Sequence, residues 1–118
     1  MKITNELVVA ENIINEFIDR FRFGTDYQLE RFYVYTNVEK EKDMFTNVIQ
    51  LVVSKGKSSV MIIVPYSNNE SWLKIYDPSK DETVKHTIRN GYWAEVDNDH
   101  SELTYEDIFE KVCAILNM

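Results

Sequence analysis

The chain has 118 residues and a mass of 14.0 kDa, which is the length of one ordinary domain that can bury a core without disulfide bonds. Its 20 acidic and 13 basic side chains give a net charge of −7. This balance argues against direct nucleic-acid binding, because a phosphate-binding surface needs clustered Lys and Arg. We therefore expect residues 1–118 to form a single acidic domain.

The first predicted element is an amphipathic helix of about four turns. Apolar residues recur at spacings of three and four from Leu7 to Phe21, which is the period of one helix face. Thr4 or Asn5 is placed to cap its start, and Gly24 can adopt the left-handed conformation that ends a helix. This pattern predicts a helix that packs one side against a core.

The next segment changes to a period of two and is rich in β-branched and aromatic residues. This pattern predicts three strands, within 32–36, 44–54 and 58–66. The second strand is apolar on both sides over much of its length, which predicts a central position in the sheet. Gly56, between Lys55 and Lys57, can supply the positive φ of a tight hairpin, so these strands are expected to be antiparallel.

Three further strands are predicted after the turn at 67–70, within 72–76, 83–89 and 92–96. The Asp77-Pro78 pair and the Asn90-Gly91 pair are turn signals that separate them. The strand at 83–89 alternates polar residues with Val84, His86 and Ile88. This alternation predicts a strand with one solvated side near the edge of the sheet.

The last predicted element is a helix that begins after Thr104. Thr104 and Asp107 have the spacing of a capping box, and Leu103 and Ile108 have that of a hydrophobic staple. The complete pattern predicts an α+β fold: an antiparallel meander sheet of about five to six strands with an N-terminal and a C-terminal helix on one face. A half-closed barrel with the same element order is the alternative.

Metal and cofactor sites are not predicted. One cysteine and two distant histidines do not provide the set of Cys and His ligands that is typical of a zinc site. The run that begins at Asp97 resembles the start of a calcium loop, but Glu102 stands where the loop needs glycine and Ile108 where it needs a bidentate Glu. The three glycines do not have the spacing of a phosphate-binding loop. We expect no metal and no cofactor.

Catalytic residues are not evident either, so we expect that the protein is not an enzyme. Cys113 lies in an apolar helical pattern, which predicts a buried, unreactive thiol in a reducing compartment. His86 is expected to be partly buried with one hydrogen bond, and His100 lies in an acidic loop. An enzyme would need a pocket between sheet and helices built from residues such as Tyr33, Tyr35 and His86.

Charge is unevenly distributed along the chain. Segment 95–110 contains seven carboxylates and no Lys or Arg: Glu95, Asp97, Asp99, Glu102, Glu106, Asp107 and Glu110. Acidic residues suit a loop and the first turn of a helix, so this cluster has a structural explanation. A binding role is the other explanation, because charge complementarity steers a basic partner.

The leading hypothesis is a non-catalytic protein that neutralises a basic enzyme, such as an immunity protein against a toxin nuclease or a phage-type inhibitor of a nucleic-acid enzyme. Aromatic side chains would anchor the partner and carboxylates would steer it. The predicted partner-binding residues are Trp72, Tyr76, Trp93, Glu95, Asp97, Asp99, Glu102, Glu106 and Asp107.

The alternative is an acidic chaperone or adaptor of the secretion type that binds an extended client through an apolar patch or a sheet edge. Monomer and dimer remain open. A dimer with a large apolar interface favours the chaperone, whereas an inhibitor can be monomeric. The chain also lacks a visible signal peptide and any apolar run long enough to cross a bilayer, so we expect a cytoplasmic protein without membrane contact.

Overall fold

The structure is a computed structural model that describes residues 3–22, 26–66, 72–89, 92–96 and 102–117. Two α-helices flank six strands in sequence order, with a short 3-10 helix, Lys40–Lys42, between the first two strands. The helices are α1 (Ile3–Phe21) and α2 (Tyr105–Leu116), and the strands are β1 (Gln28–Glu39), β2 (Met44–Lys55), β3 (Ser58–Pro65), β4 (Trp72–Asp77), β5 (Glu82–Arg89) and β6 (Tyr92–Glu95).

The predicted α+β fold is confirmed. The six strands form one antiparallel sheet in the order β1-β2-β3-β4-β5-β6. Both helices pack against this sheet, α1 on β2 and β3 and α2 on β3, and they also contact each other. The edges of the sheet are β1 and β6. The prediction that β2 is central is wrong in detail, because β2 is an interior strand that lies next to the β1 edge.

Helix α1 buries the apolar face that its period predicts, including Ala10, Ile14, Phe17 and Phe21. The helix already includes Ile3, so Thr4 and Asn5 lie inside it and neither is the capping residue. Local propensity favoured those two residues as caps, but the helix begins two or three residues before the predicted start. The predicted stop at Gly24 lies outside the described residues.

The β2–β3 hairpin is confirmed, with Lys55 opposite Ser58 and Gly56 at a φ of +60°. Strand β1 extends beyond the predicted 32–36 to both sides because it pairs with nearly all of β2, from Gln28 opposite Ser54 to Glu39 opposite Met44. Pairing with β2 therefore keeps the polar residues at both ends of β1 in the strand. The predicted hairpin turn at 90–91 lies outside the described residues.

The two faces of the sheet differ in what covers them. Side chains alternate along each strand, and the register places Leu51, Ile62 and Leu73 in the core under the helices. We call this side the helix face. The opposite side, which carries Phe32 and Lys74, has no described helix packed on it, and we call it the open face.

Helix α2 begins with the predicted capping box. The Thr104 hydroxyl accepts a hydrogen bond from the Asp107 backbone N–H at 3.2 Å, and the Asp107 carboxylate accepts from the Thr104 backbone N–H at 2.8 Å. Leu103 and Ile108, the predicted staple pair, both belong to the core. The capping contacts hold the pKa of Asp107 below its usual range, chiefly through the Thr104 backbone N–H.

Replacement of the cap should weaken α2. We expect Thr104→Ala to lower the free energy of unfolding by about 1 kcal/mol, because a backbone N–H in the first turn loses its acceptor. Thr104→Ser keeps the hydroxyl and is the matched control, with a much smaller loss. Urea unfolding followed by circular dichroism measures both. Equal stability of the Ala and Ser variants would contradict a stabilising role of the hydroxyl.

Candidate partner-binding surface

Exposed carboxylates follow one side of α2. Glu106 and Glu110 are four residues apart in the helix and therefore lie on the same side of it. Glu102 lies in the non-helical segment just before the helix, and all three residues are exposed. We call Glu102, Glu106 and Glu110 the acidic stripe. It places three exposed carboxylates within and just before α2, of which Glu106 is paired with Arg20.

Arg20 connects the acidic stripe to α1. Its guanidinium donates from Nε to Glu106 Oε2 at 3.1 Å and from Nη1 to Glu16 Oε2 at 2.7 Å. The same group lies 5.8 Å from the ring centroid of Tyr105. One guanidinium therefore pairs with two carboxylates on neighbouring helices. The contact fixes the positions of Glu16 and Glu106, and the three groups together keep a net negative charge.

Other predicted acidic residues have structural partners. Glu95 on β6 is paired with Lys111 of α2, and the hydrogen bond from Lys111 is the main reason that the pKa of Glu95 is lowered. Asp107 serves the capping box. Asp97 and Asp99 lie outside the described residues. Of the predicted acidic site, Glu102 and Glu106 are the members that the structure shows exposed.

Trp93 is a residue of the hydrophobic core. Its side chain is only 1% exposed and packs edge-on against Tyr105, with ring centroids 6.1 Å apart. Its backbone exchanges two hydrogen bonds with Leu103, at 2.8 and 2.6 Å, and these tie the segment before α2 to β6. In this conformation Trp93 offers no surface to a partner.

Trp72 and Tyr76 lie on the open face, away from the acidic stripe. Trp72 is buried under two ammonium groups, with Lys74 Nζ 4.8 Å and Lys85 Nζ 5.7 Å from its ring centroid. Tyr76 is half-buried and donates its hydroxyl hydrogen bond to Asp81 at 2.9 Å. The structure therefore separates these two predicted anchors from the predicted carboxylates by the thickness of the sheet.

His86 is buried on the helix face of β5. It is 1% exposed, and neither ring nitrogen has a hydrogen-bond partner among the described residues. The single hydrogen bond expected for it is therefore not found there. Burial is the main reason that its pKa is lowered, with Lys111 adding to the effect and Glu95, opposite it on β6, acting against it.

The residues suggested for an enzyme pocket are far apart. Tyr33 and Tyr35 are exposed on β1, whereas His86 is on β5. Four strand spacings of about 4.8 Å separate β1 from β5, and the side chains therefore do not line one cavity. Cys113 is half-buried, and burial raises the pKa of its thiol. Within the described ranges, no cluster of three or more His, Cys, Asp or Glu is arranged to hold a metal ion.

An exposed aromatic group on β1 and β2 was missed as a binding feature. Tyr35 is 69% exposed and stacks on Phe45 with ring centroids 5.5 Å apart. Tyr33 is 50% exposed and donates a hydrogen bond to Glu11 of α1 at 3.3 Å. Aromatic density at 32–35 was visible in the sequence, but its period of two equally suits a strand with one buried face.

The fold and these surfaces describe an α+β protein with an acidic helix layer and one aromatic sheet edge. No protein-family model, curated protein or solved structure matches the chain. Among the described residues, neither helix has both the length and the apolar character that a membrane-spanning helix requires.

Proposed function

We propose that this protein is a non-catalytic binding protein that neutralises a basic enzyme, such as a toxin nuclease or another nucleic-acid enzyme. The observation that supports the proposal is the acidic stripe, three exposed carboxylates within and just before α2. Such groups would meet a cationic cleft where the substrate phosphates would otherwise bind. Since Trp72 and Tyr76 lie on the open face, the proposal rests on the acidic residues.

Two features of the stripe favour a binding role. Glu102 and Glu110 form no ion pair with any described residue, so their charge is available to a partner. Glu106 shares Arg20 with Glu16, and this contact fixes its position on the surface. Charges held near the rim of an interface mainly raise the association rate, and the effect decreases as salt increases.

The test compares two pairs of substitutions with the same change in net charge. Glu102→Lys with Glu110→Lys reverses the ends of the acidic stripe, whereas Glu41→Lys with Glu82→Lys reverses two exposed carboxylates elsewhere. Tagged proteins are used to capture partners from the native host, and any captured enzyme is assayed for inhibition. We expect the stripe variant to associate at least about tenfold more slowly with a basic enzyme at low salt, and the control to remain close to the wild type.

The two variants have the same net charge, so a difference between them reports the position of the substituted carboxylates. Equal binding and equal inhibition by both variants would show that the acidic stripe is only a solvated face. Capture of partners that are not basic, or of a basic enzyme whose activity does not change on binding, would contradict neutralisation.

A secretion-type chaperone or adaptor is the second candidate, and the aromatic edge strand β1 is the observation that favours it. An extended client can add a strand to an open sheet edge. Such a protein would bind an extended client peptide through β1, and Glu102→Lys with Glu110→Lys would not affect that binding.

A further inference from the structure

The two edges of the sheet are protected to different degrees. Strand β6 has four residues, and Trp93 pairs with Leu103, which covers part of its outer edge. Strand β1 has twelve residues and no proline, and none of the described elements other than β2 pairs with it. Natural sheets usually shorten, charge or cover an edge strand because its unpaired amides promote association. Glu30, Arg31 and Glu39 are charged, and the pairing with β2 is irregular between Asn37 and Glu39. The β1 edge lacks these protections from Phe32 to Thr36.

The register identifies which β1 amides point outward. The Asn47 carbonyl accepts a hydrogen bond from Tyr66 N–H, beyond the end of β3, and Lys55 and Ser58 flank a two-residue turn. Odd-numbered β2 residues therefore bond toward β3 and even-numbered ones toward β1. Since Gln50 lies opposite Phe32, even-numbered β1 residues face β2. The outward amides are those of Leu29, Arg31, Tyr33 and Tyr35.

Exposed aromatic side chains are a feature of this edge. Of the ten exposed large hydrophobic side chains among the described residues, four lie on β1 or β2, and all four are aromatic: Phe32, Tyr33, Tyr35 and Phe45. Four others lie on β5, on β6 or directly after β6, and one of these, Tyr92, is aromatic. Phe32 is on the open face, and Tyr33 and Tyr35 are on the helix face. A strand added to this edge would therefore find exposed aromatic surface on both of its sides.

We propose that the β1 edge pairs with the β1 edge of a second copy of this chain, antiparallel and centred on Tyr33, to form a continuous twelve-stranded sheet. The strand is self-complementary in this register, as a twofold interface requires. Phe32 lies opposite Val34 of the second copy, and Arg31 lies opposite Tyr35 of the second copy. Arg31 already lies 5.8 Å from the ring centroid of Tyr33, and no two like charges are placed opposite each other.

The available area predicts a weak dimer. At about 200 Å² for a whole aromatic side chain, the exposed parts of Phe32, Tyr33 and Tyr35 provide roughly 300 Å² in each copy. Stable interfaces bury about 800 Å² in each partner. Backbone hydrogen bonds add to the contact, but the dimer should form only at high protein concentration. Such a narrow interface also differs from the large apolar interface expected of a dimeric chaperone.

The first test is mass in solution, measured by sedimentation from about 10 μM to about 1 mM protein, a range suited to a small interface. We expect the wild-type mass to rise from 14.0 kDa toward twice that value. Tyr35→Pro removes an outward N–H while it leaves the bonds to β2 intact, and it should weaken the dimer at least tenfold relative to Tyr35→Ala. Both variants lose the same aromatic ring, so their difference reports the backbone contact.

Amide exchange of the wild type is the second test and does not depend on the folding of a variant. We expect the amides of Leu29, Arg31, Tyr33 and Tyr35 to exchange more slowly as protein concentration rises. The amides that bond β2, such as those of Phe32 and Val34, should be protected at every concentration.

Three results would overturn the proposal. The first is a wild type that stays monomeric throughout the concentration range, with outward amides that stay unprotected. A folded Tyr35→Pro variant that dimerises as tightly as Tyr35→Ala would place the interface elsewhere. Outward amides that become protected only when an extended peptide is added would identify a client strand rather than a second copy as the occupant.

Discussion

Trp93→Ala is expected to lower the free energy of unfolding by about 3–5 kcal/mol, the usual cost of truncating a fully buried tryptophan. The indole is 1% exposed and contacts Tyr105 of α2. Its removal leaves a cavity between β6 and α2 at the point where Leu103 joins the sheet edge. The loss is therefore expected to destabilise the docking of α2 as well as the end of the sheet.

The measurement is urea unfolding followed by far-ultraviolet circular dichroism, with Trp93→Phe as the matched control. Phenylalanine retains most of the apolar volume and removes an indole N–H that has no hydrogen-bond partner among the described residues, so its cost should be clearly smaller. A loss below about 1 kcal/mol for Trp93→Ala would contradict a core role. Weaker partner binding with unchanged stability would instead support the sequence-based prediction that Trp93 is an anchor.

Acid should destabilise the protein through His86 between about pH 7 and pH 5. Burial lowers the pKa of His86 in the folded protein, whereas the unfolded chain has a value near 6.5. The unfolded state therefore binds a proton first as the pH falls. Stability from the neutral imidazole is complete above the unfolded pKa and decreases below it, with a slope of at most about 1.4 kcal/mol per pH unit for one proton.

His86→Leu removes both this titration and the two ring nitrogens that have no partner among the described residues. We expect the variant to be more stable than the wild type by about 1–3 kcal/mol at pH 7.5, since a buried polar group without a partner is costly. The difference should grow as the pH falls toward 5. Thermal unfolding of both proteins across this range provides the test.

Other titrating groups should not obscure the comparison. The charged groups that act on His86 are Glu95 and Lys111, and the pKa of Glu95 is lowered, so that this carboxylate titrates below the chosen window. His100 is present in both proteins. Parallel stability curves for wild type and variant would show that His86 does not titrate differently in the folded and unfolded states.

Periodicity predicted the fold because each element has a local signal. The spacing of Leu7 to Phe21 and the capping box at Thr104 are properties of contiguous residues, and short turns join neighbouring strands in a meander. The predicted start of α1 was wrong because Thr4 and Asn5 are good capping residues that nevertheless lie inside the helix. Propensity alone does not decide which of several suitable residues ends a helix.

The candidate site was harder to predict because it depends on which face of the sheet each residue occupies. Neighbouring residues of a strand, such as Tyr92 and Trp93, point to opposite faces, but alternation alone does not show which of the two is buried. The bridge from Trp93 to Leu103 decides this, and it is not a local pattern. The separation of Trp72 and Tyr76 from the acidic stripe likewise follows from the position of the helices on the other face.

The contact between α1 and α2 has a consequence for how the chain folds. Each hairpin of the meander joins neighbouring segments, whereas the Arg20–Glu106 contact closes a loop of 86 residues, and Phe21 packs on Phe109 at the same junction. Local contacts form faster than distant ones because their loop-closure entropy is smaller. We therefore expect the hairpins to form first and the helix pair to close last. During synthesis, the apolar sheet face that α2 covers stays open until that helix has left the ribosome.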